Sequence, residues 1–100
     1  SNFYGVLDGE LRTAGTDVLA GITRGIVLQL APDILPVNLS AMLLDDLSRV
    51  EEAFLSSSSR GLLPVVRVDE QVIGSGRPGP VTLALVEALE RFVEQHLEAL

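Results

Sequence analysis

The chain has 100 residues, the size of one domain with room for a single modest core. Its formal charge is −7 and its pI about 4.4, with no basic cluster, which makes nucleic acid and anionic membrane surfaces poor partners. It contains no cysteine, which excludes a disulfide framework and a thiolate metal site. All seven basic residues are arginine, at positions 12, 24, 49, 60, 67, 77 and 91, so chemistry that needs a lysine Schiff base cannot be completed by this chain alone. Hydrophobic residues make up 47% of the chain and the mean hydropathy is +0.38. That excess fits either a face covered by another domain or subunit, or a well-filled aliphatic core. No apolar run is long enough to cross a bilayer, and the first residues show no basic n-region and h-region. The lack of cysteine fits the cytoplasm, which is the expected location.

Residues 3–13 predict a β-hairpin. Phe3-Tyr4-Gly5-Val6-Leu7 and Glu10-Leu11-Arg12-Thr13 flank Asp8-Gly9, the dipeptide suited to a two-residue turn in which both positions need positive φ. A strand so near the first residue leads us to expect further sequence upstream. Residues 14–21 read as a loop, and 22–31 as a short helix with Ile22, Ile26, Val27 and Leu30 on one face, stopped by Pro32. The junction Leu19-Ala20-Gly21-Ile22-Thr23-Arg24 has a distinct chemistry. Gly21 permits a tight bend, Thr23 brings a hydroxyl to the helix start, and no Asp or Glu occupies the first turn to complement the helix dipole. Such a terminus suits a bound anion, typically phosphate. The plainer alternative makes Thr23 an ordinary N-cap and Arg24 a solvated side chain.

Residues 34–39 read as an edge strand broken by Pro36. Ser40 is a suitable N-cap for a second helix over 41–47, with Met42, Leu43 and Leu47 inward. Asp45, Asp46, Glu51 and Glu52 read as a solvated acidic surface; neighbouring acids on a helix point in different directions, which disfavours a paired-carboxylate site. Ala53-Phe54-Leu55-Ser56 predicts a buried strand that runs into Ser57-Ser58-Ser59-Arg60-Gly61. A tight serine turn at a strand end is either an anion nest or a plain polar turn. Residues 63–68 form another strand, Asp69-Glu70 a turn, and Gln71-Val72-Ile73 the return. After the loop 74–79, Pro80 occupies the first position of a long helix to about Leu97, with Val81, Leu85, Ala88, Leu89, Phe92 and Val93 as its apolar face. His96, the only histidine, reads as a residue that complements the dipole at the helix end. The succession is that of an α+β domain. No metal-ligand cluster is present, and Gly74-Ser75-Gly76 is too short for a nucleotide-binding motif.

These landmarks together resemble the class IV (fold type IV) pyridoxal-phosphate enzymes, which include branched-chain and D-amino-acid aminotransferases and 4-amino-4-deoxychorismate lyase. The resemblance is carried by Ser1-Asn2-Phe3, by Leu19-Ala20-Gly21-Ile22-Thr23-Arg24, by Glu52-Ala53-Phe54-Leu55-Ser56-Ser57-Ser58, by Leu63-Pro64-Val65, and by Ile73-Gly74-Ser75-Gly76-Arg77-Pro78-Gly79-Pro80-Val81-Thr82. All five stretches occur in the family's order and at its spacing. The resemblance implies a mixed sheet, or pseudo-barrel, packed with helices and closed by a long C-terminal helix. It implies that residues 1–100 are a C-terminal cofactor-binding domain whose N-terminal domain lies outside this chain. It implies pyridoxal 5'-phosphate as the cofactor. Gly21, Ile22 and Thr23 would form the segment that takes the phosphate through backbone N–H groups and the Thr23 hydroxyl. Leu19 would pack on the pyridine ring, Ser58 would also reach the phosphate, and the N–H groups of Ser58 and Ser59 would approach the substrate carboxylate. The family's Schiff-base lysine, its glutamate on the pyridine nitrogen and its phosphate-binding arginine all lie upstream, so no catalytic residue and no metal ligand is assigned here. The implied reaction is amino-group transfer between an amino acid, branched-chain or similar, and a 2-oxo acid. The lyase and a non-catalytic domain retaining the fold are the alternatives. The family is commonly dimeric, so a homodimer is expected.

Overall fold

The computed structural model describes residues 2–14, 22–57 and 61–98. Strand β1 (Asn2–Leu7) and strand β2 (Glu10–Arg12) form the expected hairpin. Its turn residues Asp8 and Gly9 have φ of 54° and 77°, as a two-residue turn matched to the strand twist requires. Helix α1 (Ile22–Leu30) continues into a 3₁₀ turn at Ala31–Asp33, where Pro32 stops the α-helical ladder. Strands β3 (Val37–Asn38), β4 (Glu52–Ser57) and β5 (Gly61–Val65) complete a five-stranded sheet in the order β3-β2-β1-β4-β5. All neighbours are antiparallel except β2 and β3, so the sheet is mixed. Strands β6 (Arg67–Val68) and β7 (Gln71–Val72) make a separate ribbon, and α2 (Pro80–Glu98) ends the described chain.

Alternation along the strands sends side chains to two cores. Tyr4, Val6, Leu11, Phe54 and Leu62 pack with Val27 of α1 and with Leu85 and Leu89 of α2. On the opposite face Ala53 joins Val50 and Ile73, with Phe3, Met42 and Val68 packed against them. Tyr4 and Phe54 are paired across β1 and β4, and their rings stack with centroids 4.7 Å apart. The Tyr4 hydroxyl lies 2.7 Å from the Ser56 Oγ, so the buried phenol is satisfied inside the core.

The structure corrects several readings. No α-helix covers 41–47; a six-residue 3₁₀ helix spans Leu44–Arg49. Ser40 does not cap it. The residue before the turn is Leu43, whose N–H donates to the Asp46 carboxylate at 3.0 Å. An acid at the third helical position that accepts the cap N–H is a helix-starting contact, so the segment starts after Leu43 rather than after Ser40, and the extended backbone of Val50 (φ −70°, ψ 126°) ends it before β4. Leu43 is exposed, while Met42 and Leu47 do face inward. The strand read over 63–68 divides at Val66: β5 stays on β4, and β6 turns away to pair with β7. Ile22 is 83% exposed rather than inward, because side chains in the first helical turn lean back beyond the sheet layer. Val93 is also partly exposed, on a helix longer than the sheet it covers.

Glu52 is the largest correction among the charged residues. It is buried, and its carboxylate accepts the N–H of Thr82 at 2.7 Å and of Val81 at 3.2 Å. Helix α2 has no acid in its own first turn. Strand β4 therefore supplies, from 30 residues away in sequence, the negative charge that a helix start attracts. A Cβ on Gly79 would collide with the Glu52 carboxyl, so glycine is needed for the approach.

Candidate functional site

The start of α1 and the end of β4 meet. The Thr23 hydroxyl donates to the Ser57 carbonyl oxygen at 3.2 Å. This contact joins the two stretches singled out as anion-friendly, which are 34 residues apart in sequence. Packing explains the meeting: Val27 of α1 and Phe54 of β4 share one core, which lays the helix across the strand. The first N–H groups of an α-helix have no partner within the helix, and α1 carries no acid in its first turn. The Ile22 side chain is exposed and does not fold over the turn. The end of α1 can thus offer N–H donors and the positive pole of the dipole to an anion. The Thr23 hydroxyl proton is used on Ser57 in this arrangement; to serve an anion, that hydroxyl must rotate.

Arg24 is not a solvated side chain. It is 6% exposed, and its Nη1 donates to the Thr13 Oγ1 at 2.9 Å while Nη2 donates to the Ala14 carbonyl. Thr13 is buried too, and its hydroxyl donates to the Phe3 carbonyl at 3.0 Å. Sequence reasoning missed this guanidinium although a signal was present. Arg24 lies three residues before Val27 and seven before Ala31, both buried, and therefore on the inner face of the helix. Glu52 carried a similar signal, since alternation puts it on the same face as the fully buried Phe54.

Of the anticipated site residues, Ile22 and Thr23 are described and stand together at the start of α1. Leu19, Gly21, Ser58 and Ser59 lie outside the described residues. An apolar cavity of about 380 Å³ lies on the other face of the sheet, lined in part by Phe3, Thr13, Met42, Leu47 and Val68; neither Ile22 nor Thr23 lines it. Among the described residues no group of three or more His, Cys, Asp or Glu could hold a metal ion. No helix among them is long and apolar enough to cross a membrane.

Shifted ionisations lie away from this site. The Asn38 side chain, and after it the Arg12 guanidinium, holds the Glu10 carboxyl below its ordinary value. The Arg49 guanidinium and then the Leu43 N–H do the same for Asp46.

Residues 1–68 match the family model for amino-transferase class IV. The D-alanine aminotransferase of Staphylococcus aureus (strain N315) is 33% identical over 99 residues, which cover 96% of this chain and 35% of that protein. The solved branched-chain amino acid aminotransferase of Escherichia coli superposes with a TM-score of 0.81 at 33% identity, over 88% of this chain and 31% of that one. The branched-chain aminotransferase of the thermophilic archaeon Thermoproteus uzoniensis, solved with norvaline, gives 0.83 at 28% identity over 92% of this chain and 31% of that one. The chain spans about a third of the length of the relatives it matches. Its α+β fold, with a mixed sheet and a long closing helix, is theirs over that third. With more than half of its length matched to the family model and its fold shared with solved members, the chain belongs to the class IV aminotransferase family.

Proposed function

We propose that residues 1–100 form the C-terminal cofactor-binding domain of a pyridoxal 5'-phosphate-dependent aminotransferase, with an N-terminal domain outside this chain. The enzyme would move an amino group between an amino acid, branched-chain or similar, and a 2-oxo acid. The observation that carries the reading is the Thr23–Ser57 contact, which sets the start of α1 beside the serine end of β4. The donor set fits a phosphate: backbone N–H groups of Ile22 and Thr23, a nearby hydroxyl, and no acid in the first turn to repel it.

When bound, pyridoxal 5'-phosphate supplies the electron sink that eases removal of the proton on the amino acid's α-carbon. This chain's part is binding and orientation. Ile22 and Thr23 would hold the phosphate, with the Thr23 hydroxyl turned from Ser57 toward it. Gly21 would admit the close backbone approach, Leu19 would bear on the ring, and Ser58 would add a phosphate contact. The N–H groups of Ser58 and Ser59 would orient the substrate carboxylate. The chain has no lysine, so we assign the proton-moving base to a lysine outside these residues. The family resemblance also supports a homodimer, and the lack of cysteine is in keeping with the cytoplasm. The relatives named above are aminotransferases, which supports amino-group transfer over the lyase reaction.

The test uses the full-length protein supplied with pyridoxal 5'-phosphate and 2-oxoglutarate, with L-leucine, L-valine and D-alanine as separate donors. We expect glutamate to form, fastest with the branched-chain donors. Release of 4-aminobenzoate from aminodeoxychorismate without amino transfer would replace the reading by the lyase. No turnover and no retained cofactor would replace it by a non-catalytic domain of the same fold.

A further inference from the structure

Among the described residues no carboxylate pairs with Arg24. It sits in the first turn of α1, where the dipole is already positive. The residue is buried, and removing a guanidinium from water is unfavourable without a counter-charge. Its partners are a hydroxyl and a carbonyl, and among the described residues it forms no ion pair. The contacts are nonetheless organised. Arg24 reaches Thr13, and Thr13 reaches the backbone of Phe3 on β1. The preceding residue, Thr23, reaches the backbone of Ser57 on β4. Strands β1 and β4 are sheet neighbours, and Phe3 is opposite Leu55. Two successive helix residues therefore tether one turn to the same end of two adjacent strands.

We infer that Arg24 is a positioning residue for phosphate at the start of α1, an inference that rests on the cofactor reading above. The Arg24–Thr13–Phe3 relay holds the first turn against β1, and the Thr23–Ser57 bond holds it against β4. Together they fix the direction in which the N–H groups of Ile22 and Thr23 point. The relay also draws Ala14 toward α1, so Arg24 links the two flanks of residues 15–21. An anion at the helix start would add negative charge near a guanidinium that has no ion pair among the described residues, so phosphate and Arg24 stabilise each other's place.

The experiment compares the full-length protein with its Arg24→Met, Arg24→Lys and Thr13→Val variants. Two quantities are read: the dissociation constant for pyridoxal 5'-phosphate, and amide hydrogen exchange with and without inorganic phosphate. Loss of two hydrogen bonds from a charged donor predicts that Arg24→Met weakens cofactor binding about tenfold to a hundredfold. At saturating cofactor, the KM for the amino donor stays within about twofold, since this residue acts on the phosphate and not on the donor. Arg24→Lys recovers part of the affinity, because one ammonium cannot hold both partners in the geometry of a planar fork. Thr13→Val shifts affinity in the same direction, and combined with Arg24→Met it adds little, as expected of members of one relay. Amides 22–25 exchange faster in Arg24→Met while amides 85–92 of α2 do not change.

Cofactor affinity within about twofold of the parent in both Arg24→Met and Thr13→Val overturns the inference. So does faster exchange spread evenly over α1 and α2, which would mark a general packing defect. If Arg24→Met does not fold, Thr13→Val carries the same comparison with the charge intact. If the parent itself holds no cofactor, the proposed function fails and exchange alone decides this inference. Protection of amides 22–25 by phosphate in the parent but not in the variants then sustains it, and no protection in the parent overturns it.

Discussion

At the residue scale, hydrogen-bond demand explains which polar side chains are buried. Glu52 takes two N–H groups at the start of α2 that would otherwise be orphaned under the sheet. Glu52→Ala should destabilise the protein by about 1–3 kcal/mol, with Glu52→Gln less severe because an amide oxygen still accepts, and thermal unfolding measures both. Next to it, the Thr82 Oγ1 is buried with no partner among the described residues. Thr82→Val replaces that hydroxyl by a methyl of similar shape, and its unfolding midpoint should equal or exceed the parent's. At the surface, Glu10 and Asp46 titrate below their ordinary values of 4.5 and 3.8. A carboxylate whose folded-state pKa is depressed contributes stability above its unfolded pKa and loses it as pH falls through the folded one. Urea midpoints should thus drop as pH is lowered below 4.5 and 3.8, and Asn38→Ala should reduce the Glu10 share by deleting the principal cause of its shift. In the sequence, Glu52 stood among four acids and Arg24 beside a loop, so both read as solvated. Strand alternation and helical spacing pointed inward for each, and burial of the facing residues decided the matter.

At the element scale, what local chemistry dictates was legible. Asp8-Gly9 specified its turn, Pro80 its helix start, and the apolar run around Phe54 its strand. What depends on tertiary contacts was not. The segment before Arg49 has an acceptable cap at Ser40 and apolar spacing for a helix, yet the start is set at Leu43, whose N–H Asp46 accepts while it also holds the Arg49 guanidinium. The apolar run through Val66 gives no sign that its second half leaves the sheet. The pairing of β1 with β4 is the axis of the fold, and the Tyr4–Phe54 stack is its centre. Phe54→Ala should cost about 3–5 kcal/mol in chemical denaturation, with loss of the site, because the same pair lays α1 across β4.

At the scale of the whole molecule, the sheet is covered on both faces, by α1 and α2 on one side and by Met42, Leu47 and Val68 on the other. A filled aliphatic core thus accounts for part of the apolar composition. Among the described residues other large apolar side chains stand at the surface, in Ile22, Ile34, Leu39, Leu43, Val72, Leu83 and Val93, spread over several elements. Of the candidate site, the meeting of Thr23 with the serine stretch was legible only through family resemblance, because nothing local in either stretch names the other. The open edges of the sheet bear on how the molecule avoids its own kind. An uncovered strand edge is a template on which another chain can add, and that is a route to aggregation. Here one edge, β3, offers only two residues, and the other, β5, carries Pro64, which has no N–H to give a newcomer. Among the described residues neither edge presents a continuous ladder, so this sheet is a poor seed for fibrils.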